Sequence, residues 1–236
     1  DEHGQQIAGY SYIQAEDAPV QPARDAAGNE VVVNCDLAGR QVAVKAWRAD
    51  VGRIPVLLLD TDLPQNDPAD RQITRQLYGG DSQTRLQQEI ILGIAGVRAL
   101  RAAGISPQVW HINEGHAAFQ IVERIRELVA AGVEFNAAVE AVAACTVFTT
   151  HTPVSAGHDV FDKGLLLDYF RKLVGELGVG EQGFLQLGSD GAPESGFNMT
   201  RLALTGARHV NGVSRIHRHV TAQICAPNWP EIPAAE

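Results

Sequence analysis

The 236 residues are 45% hydrophobic and 20% charged, and 28 acidic against 19 basic side chains leave a formal net charge of −9. A chain of this length and apolar content has enough material for one sizeable folded unit, which excludes intrinsic disorder. The acidic balance, with no basic stretch, excludes nucleic acid or an anionic membrane face as the main partner. No run nears the roughly 18 continuous apolar residues of a membrane span.

Residues 18–62 alternate and turn. Val31-Val32-Val33, a break at Leu37 to Arg40, the run Val42, Val44, Trp47, a second break at Asp50 to Arg53 and the run Ile54 to Leu59 predict an antiparallel β meander. Asp60 to Asp70, with Pro64, Pro68 and four aspartates, reads as a surface loop. From Arg85 the apolar positions Leu86, Ile90, Ile94, Val97 and Leu100 recur at helical spacing, and Gly104 closes the helix.

A strand ending at Trp110-His111-Ile112-Asn113 follows. A second helix buries Ala118, Ile121, Val122, Ile125, Leu128 and Val129 and turns Glu123, Arg124, Arg126 and Glu127 outward, and a third starts near Asn136. Cys145 to Thr150 is β-branched and aromatic, hence strand. Helices fit Asp162 to Leu177 and Met199 to Arg208, a strand fits His209 to Val213, and Ser214 caps a last helix. Strand alternating with helix predicts an α/β fold with a Rossmann-like parallel sheet and flanking helices, the β meander being appended to it. The expected division is meander 1–62, loop 63–84, α/β unit 85–225 and linker 226–236.

Three cysteines, Cys35, Cys145 and Cys225, are widely spaced and odd in number, which argues for a reducing, cytoplasmic compartment and for small buried apolar residues. The only methionine is Met199 and the chain opens Asp1-Glu2-His3, so the expectation is a protein processed at its start or cut from something longer.

In open α/β sheets ligands bind beyond the carboxyl ends of the strands. Two strand exits are unusually polar: His111 to His116, and Thr149-Thr150-His151-Thr152-Pro153 running to His158-Asp159. At the first, Asn113, Glu114 and His116 either hold a polar ligand at a helix start or tie off free helix N–H groups. At the second, His151 between a β run and Pro153 is fixed in place and suits hydrogen bonding. A metal set from His111 with His116 lacks the i, i+4 spacing of a zinc helix, one from His151 and His158 with Asp159 spans a seven-residue loop with nothing to fix its geometry, and the expectation is no metal. His217 and His219 read as surface. Asp81, after Gly79-Gly80, reads as a helix cap toward Thr84 and Arg85 or as part of a gating loop.

Five ordered blocks are distinctive: Leu77-Tyr78-Gly79-Gly80-Asp81, Gln88 to Gly93, Trp110 to Phe119, Phe148-Thr149-Thr150-His151-Thr152-Pro153 to Asp159, and Phe197-Asn198-Met199 through Val210-Asn211-Gly212-Val213-Ser214. From about residue 40 onward the chain resembles the α-glucan (glycogen, starch, maltodextrin) phosphorylases, most of all their bacterial and archaeal branch. The resemblance implies the later part of the N-terminal domain of a GT-B glycosyltransferase that splits α-1,4-glucan with inorganic phosphate, with retention, to glucose 1-phosphate.

It further implies pyridoxal phosphate in the full-length enzyme, on a lysine of the C-terminal domain; Lys45, Lys163 and Lys172 match no part of that motif. It assigns His151 to the transferred glucose, Glu114 and His116 to the pocket beside it (better-known members carry Asp in place of Glu114), and Asp81 to the mobile gate. No catalytic or cofactor-binding residue is carried over. The implied partners are the glucan, phosphate and the C-terminal domain of the same polypeptide, with a homodimer compatible. Two alternatives stay open: a non-catalytic glucan-binding module, and a glycoside hydrolase pairing Glu114 with Asp81 or Asp159, which requires carboxyls about 5–10 Å apart.

Overall fold

The computed structural model describes residues 18–76, 80–152, 158–189 and 195–226. Tyr78-Gly79 of the gate motif, Pro153 to Gly157, the first 17 residues and the expected linker from 227 on lie outside the described residues.

The meander exists. β1 (Gln21–Pro22) and β2 (Val32–Leu37) pair with one edge of the long β3 (Arg40–Val51), and β4 (Ile54–Asp60) pairs with the other, all antiparallel. The β2–β3 turn needs two left-handed residues, Ala38 at φ 53° and Gly39 at φ 84°, and Asp36 Oδ1 accepts the Gly39 N–H at 2.9 Å. Val42, Val44 and Ala46, alternating along β3, are fully buried, as the period of a half-covered strand requires.

The loop after β4 is tied down more firmly than its polar composition predicts. Asn66 is buried; its Oδ1 accepts the Ala43 N–H at 2.9 Å, and its Nδ2 donates to Ala43 O and Thr61 O at 2.8 Å each. Asp70 is also buried and receives Arg40 at 2.9 Å. A side chain that completes the backbone pairing of β3 substitutes for core packing.

The helical rod starts at Ser82, three residues before the apolar period does. α1 (Ser82–Ile90) passes through a π-helical turn, Ile91–Ala95, into α2 (Gly96–Ala102). After it come β5 (Trp110–Asn113), α3 (Phe119–Ala130), α4 (Phe135–Ala144), β6 (Thr146–Thr150), β7 (Val160–Phe161) and α5 (Lys163–Leu177). The chain ends in α6 (Gly180–Leu185), β8 (Phe197–Asn198), α7 (Met199–Thr205), β9 (His209–Gly212) and α8 (Arg215–Cys225).

β5, β6 and β9 form the parallel sheet, in that order, with Ile112 opposite Phe148 and Phe148 opposite Val210. Ile112 and Phe148 are fully buried and join the main core with residues of α3, α4, α5 and α7. Inside it Phe119, Phe170, Phe184 and Phe197 stack in sequence, with centroids 4.7 to 6.2 Å apart. On the opposite face of the sheet His111, Asn113, His209 and Asn211 are exposed. Thr149 bridges that face: its hydroxyl lies 2.7 Å from His111 Nε2 and donates to Asn211 Oδ1 at 2.9 Å.

Three local expectations are corrected. The first two turns of α3 are buried on both sides: Glu123, expected outside, is fully buried and gripped by Arg98 at 2.8 Å and Arg126 at 2.7 Å. Arg124, also buried, reaches Thr146 Oγ1 at 2.8 Å and lies over the Trp110 ring. His217 faces inward, its Nδ1 2.9 Å from Thr221 Oγ1, while His219 is exposed. Cys35 and Cys225 are buried free thiols as expected, but Cys145 is only half-buried, its sulfur 2.8 Å from Arg124. No helix among the described residues is long and apolar enough to cross a membrane.

Candidate functional site

The two polar strand exits lie side by side because β5 and β6 are paired neighbours. The pairing continues one step past the strand end, where the Glu114 N–H donates to Thr149 O at 2.9 Å. Glu114 then sits at φ 62°, ψ −179°, a backbone region that only glycine adopts without strain, at a cost of about 1–3 kcal/mol for other residues. That conformation swings its side chain across to the end of β6. Gly115 follows because the turn touches α7: a Cβ there would meet Met199 Cβ at 2.9 Å.

The Glu114 side chain is buried and its Oε1 accepts from four donors: the Thr150 hydroxyl at 3.3 Å, the His151 N–H, the Thr152 N–H at 2.8 Å and the Thr152 hydroxyl at 3.0 Å. Burial alone would raise this carboxyl; the bonds from His151 and Thr152 outweigh it and hold it below the usual carboxylate range. His151 Nδ1 lies 3.3 Å from the same oxygen, and its ring stays half-exposed at 48%. Glu114 therefore fastens the turn that carries His151, and the imidazole is the part that faces outward.

His116 points the other way, into a cluster that the sequence did not reveal. Its Nδ1 is 3.1 Å from Asp159 Oδ2 and 3.5 Å from Glu89 Oε1, and Arg85 Nη2 reaches the same two oxygens at 2.8 and 3.5 Å. Hydrogen bonds to Asp159 and Glu89 raise the His116 imidazole to about 9. Burial pushes Asp159 up, but His116, Glu89 and Arg85 together bring it down to about 2. Burial beside Asp159 pushes Glu89 up to about 8. At neutral pH the cluster holds Arg85 and His116 as cations, Asp159 as anion and Glu89 largely protonated.

Glu89, His116 and Asp159 bring their ligand atoms within 4.8 Å of one another. The grouping differs from either metal set considered from the sequence. Its two cationic side chains already bond the carboxylate oxygens a metal would need, so the cluster holds no surplus negative charge to draw one in. His158, adjacent in sequence, instead bonds Thr200 Oγ1 at 2.6 Å, and burial lowers its imidazole.

Asn113 is exposed at the end of β5. Asp81 caps α1: its Oδ1 accepts the Thr84 N–H and hydroxyl at 2.9 Å each, with Gly80 before it at φ 83°. The Thr84 N–H, foremost, holds that carboxyl below its ordinary value. The structure thus joins Asn113, Glu114 and His151 at the paired strand ends, sets His116 into the flanking cluster and puts Asp81 at the start of α1. Sequence reasoning missed Glu89 and Arg85 and grouped Asp159 with His151 and His158, where the structure gives it His116. The signal for Glu89 was present: a carboxylate beside Ile90 on the apolar face of α1.

No family model matches the chain. It is 39% identical over 237 residues to a maltodextrin phosphorylase of Thermococcus litoralis, covering 100% of this chain and 28% of the relative. It is 40% identical over 239 residues to a glycogen phosphorylase of Mycobacterium tuberculosis, covering 96% of this chain and 28% of the relative. A glycogen phosphorylase of Aquifex aeolicus is 31% identical over 212 residues, covering 89% of this chain and 31% of the relative. These likenesses bear out the resemblance to the α-glucan phosphorylases, and the chain spans less than a third of the relatives' length.

Proposed function

We propose that this chain is a segment of the N-terminal domain of a cytoplasmic α-glucan phosphorylase of GT-B type and that it supplies part of the glucose pocket. In this reading the whole protein phosphorolyses α-1,4-glucan with retention to glucose 1-phosphate. The observation that carries it is the pinned turn: Glu114 fixes the backbone of His151 while leaving the imidazole open. An oxocarbenium-like transition state gains from hydroxyl hydrogen bonds that strengthen as charge develops. A histidine held by its backbone supplies such a bond without reorganising and without transferring a proton.

Pyridoxal phosphate finds no anchor here. Lys45 is paired with Glu30 at 2.7 Å on the meander, and Lys163 and Lys172 belong to α5, so none stands at the strand ends. The chain's own residues do not fit that group, and the reading assigns its binding to the part of the protein beyond this segment.

The hydrolase reading loses support on chemical grounds. A glycosidase pair needs one carboxyl with a raised pKa, whereas Glu114, Asp81 and Asp159 are all held below their ordinary values.

The test is His151→Ala in the longer enzyme, assayed for glucose 1-phosphate formation. A lost hydrogen bond of about 1–3 kcal/mol corresponds to a rate about 5- to 150-fold lower. Unchanged kinetics would remove His151 from the pocket.

A further inference from the structure

Among the described residues every buried acid is met by a basic side chain: Asp70 by Arg40, Glu89 by Arg85, Glu114 by His151, and Glu123 by Arg98 and Arg126. The buried guanidinium of Arg124 is different. It is only 4% exposed and is bonded to no carboxylate among the described residues. Its Nη1 donates to Thr146 Oγ1 at 2.8 Å, and its Nη2 to Val142 O at 3.3 Å and to the Cys145 sulfur at 2.8 Å. The Trp110 ring, 4.6 Å away, covers it. The two oxygens are neutral, so the sulfur is the one atom in reach that can carry the charge a buried cation lacks.

Cys145 joins α4 to β6 at the amino end of the parallel sheet, where its carbonyl accepts the Trp110 N–H at 2.9 Å. That is the end opposite the paired strand exits. Cys35 and Cys225 are sealed in, at 1% and 6% exposed, whereas Cys145 is half-buried. A reactive cysteine needs a cation beside it and a path to solvent, and Cys145 has both. The end of α4 opposes this, because Ala141 O and Val142 O lie 3.5 Å from the sulfur and a helix end carries about half a negative charge. A whole positive charge at 2.8 Å outweighs it.

We propose that Cys145 is an oxidation site for hydrogen peroxide, with Arg124 as the residue that positions the sulfur and supports the negative charge it carries in attack. The sulfur bonds one peroxide oxygen as the O–O bond breaks. The thiol proton leaves with the second oxygen as water, the sulfur is oxidised by two electrons to a sulfenic acid, and the peroxide is reduced. The new oxygen gives Arg124 an acceptor that ionises in place. The site is separate from the sugar pocket and does not rest on the phosphorylase reading.

The test uses the protein expressed from the whole reading frame that contains this segment. It is treated with hydrogen peroxide in the presence of dimedone, which traps sulfenic acids, and the adduct at each cysteine is followed by peptide mass spectrometry. Cys145 is expected to form adduct at least about tenfold faster than free cysteine in the same solution, and Cys35 and Cys225 to form none. Arg124→Gln is expected to slow Cys145 at least about tenfold, the loss of one charge-assisted bond, and Arg124→Lys to restore part of that rate. Silence at Cys35 shows that each variant is folded; where it labels, the parent's rate alone decides. A parent Cys145 no faster than free cysteine overturns the proposal, as does a folded Arg124→Gln protein that reacts at the parent's rate.

Discussion

Glu114 Oε1 accepts the backbone N–H of His151 across the carboxyl ends of two paired parallel strands. The bond joins residues 37 positions apart in the chain and is reached only because Glu114 adopts a glycine-only backbone conformation. The strain at one strand exit is thus the condition for order at the other, a pattern common where structure serves a site.

Glu114→Ala removes the acceptor for four donors while keeping the strain, and is expected to destabilise the protein by about 2–4 kcal/mol. Glu114→Gly removes the same acceptor but relieves the backbone, so it should cost about 1 kcal/mol or more less than alanine. Denaturant unfolding of the two variants side by side checks the order. Alanine as stable as glycine would show that the backbone at position 114 is not strained.

The elements that were legible are those whose residues act within one turn or one strand. The apolar period of α3, the β-branched run of β6, the Asp81 cap and the Ser214 cap need only local chemistry. The cluster of Glu89, His116 and Asp159 was illegible because its members lie 27 and 43 residues apart and meet through three separate elements. Glu123 and Arg124 misled for a related reason: a charged face reads as solvent-facing until Arg98 from α2 covers Glu123 and Trp110 and Thr146 cover Arg124. His151 was found as a polar strand exit, but its tether was not, since no propensity puts a glutamate at φ 62°.

Asn66 holds the loop after β4 by replacing a missing strand partner for Ala43 on both its N–H and its C=O. Asn66→Ala leaves those two buried backbone groups and Thr61 O without partners, at about 1–3 kcal/mol for such a loss. Asn66→Asp keeps the acceptor but not the donor and is expected to fall no closer to the parent than alanine does, since it sets a carboxylate against two carbonyls. Thermal melting of both variants decides this; a change below about 1 °C in either would mean that the loop is held elsewhere.

Gly93 stands in the π-helical turn where the rod crosses the start of α3, and a Cβ there would come within 2.7 Å of Phe119 Cβ and 2.8 Å of the Gln120 N. Backbone cannot yield to that contact as a flexible side chain can. Gly93→Ala is therefore expected to destabilise by about 1–3 kcal/mol, although alanine is the better helix former. Gly175→Ala in α5, where nothing lies within 4 Å, is the control and is expected to be neutral or stabilising by up to about 1 kcal/mol. Equal effects at the two positions would deny the close crossing.

The buried cluster predicts a one-sided dependence of stability on pH. Glu89 is raised from 4.5 to about 8 and His116 from 6.5 to about 9, so each favours the protonated folded form. Their contributions are complete below pH 4.5 and 6.5 respectively and are lost as pH climbs through 8 and 9. Asp159, lowered from 3.8 to about 2, acts oppositely: its contribution is present above 3.8 and is lost toward pH 2. Stability from this site is thus greatest near pH 4–5, between the two windows, and declines steadily toward pH 9. Glu89→Gln fixes the uncharged state, so its melting temperature should fall less between pH 5 and pH 8 than the parent's. His116→Gln should flatten the remaining slope between pH 7 and pH 9. Identical slopes in parent and Glu89→Gln would mean that Glu89 is ionised throughout, with Arg85 and not a proton balancing it.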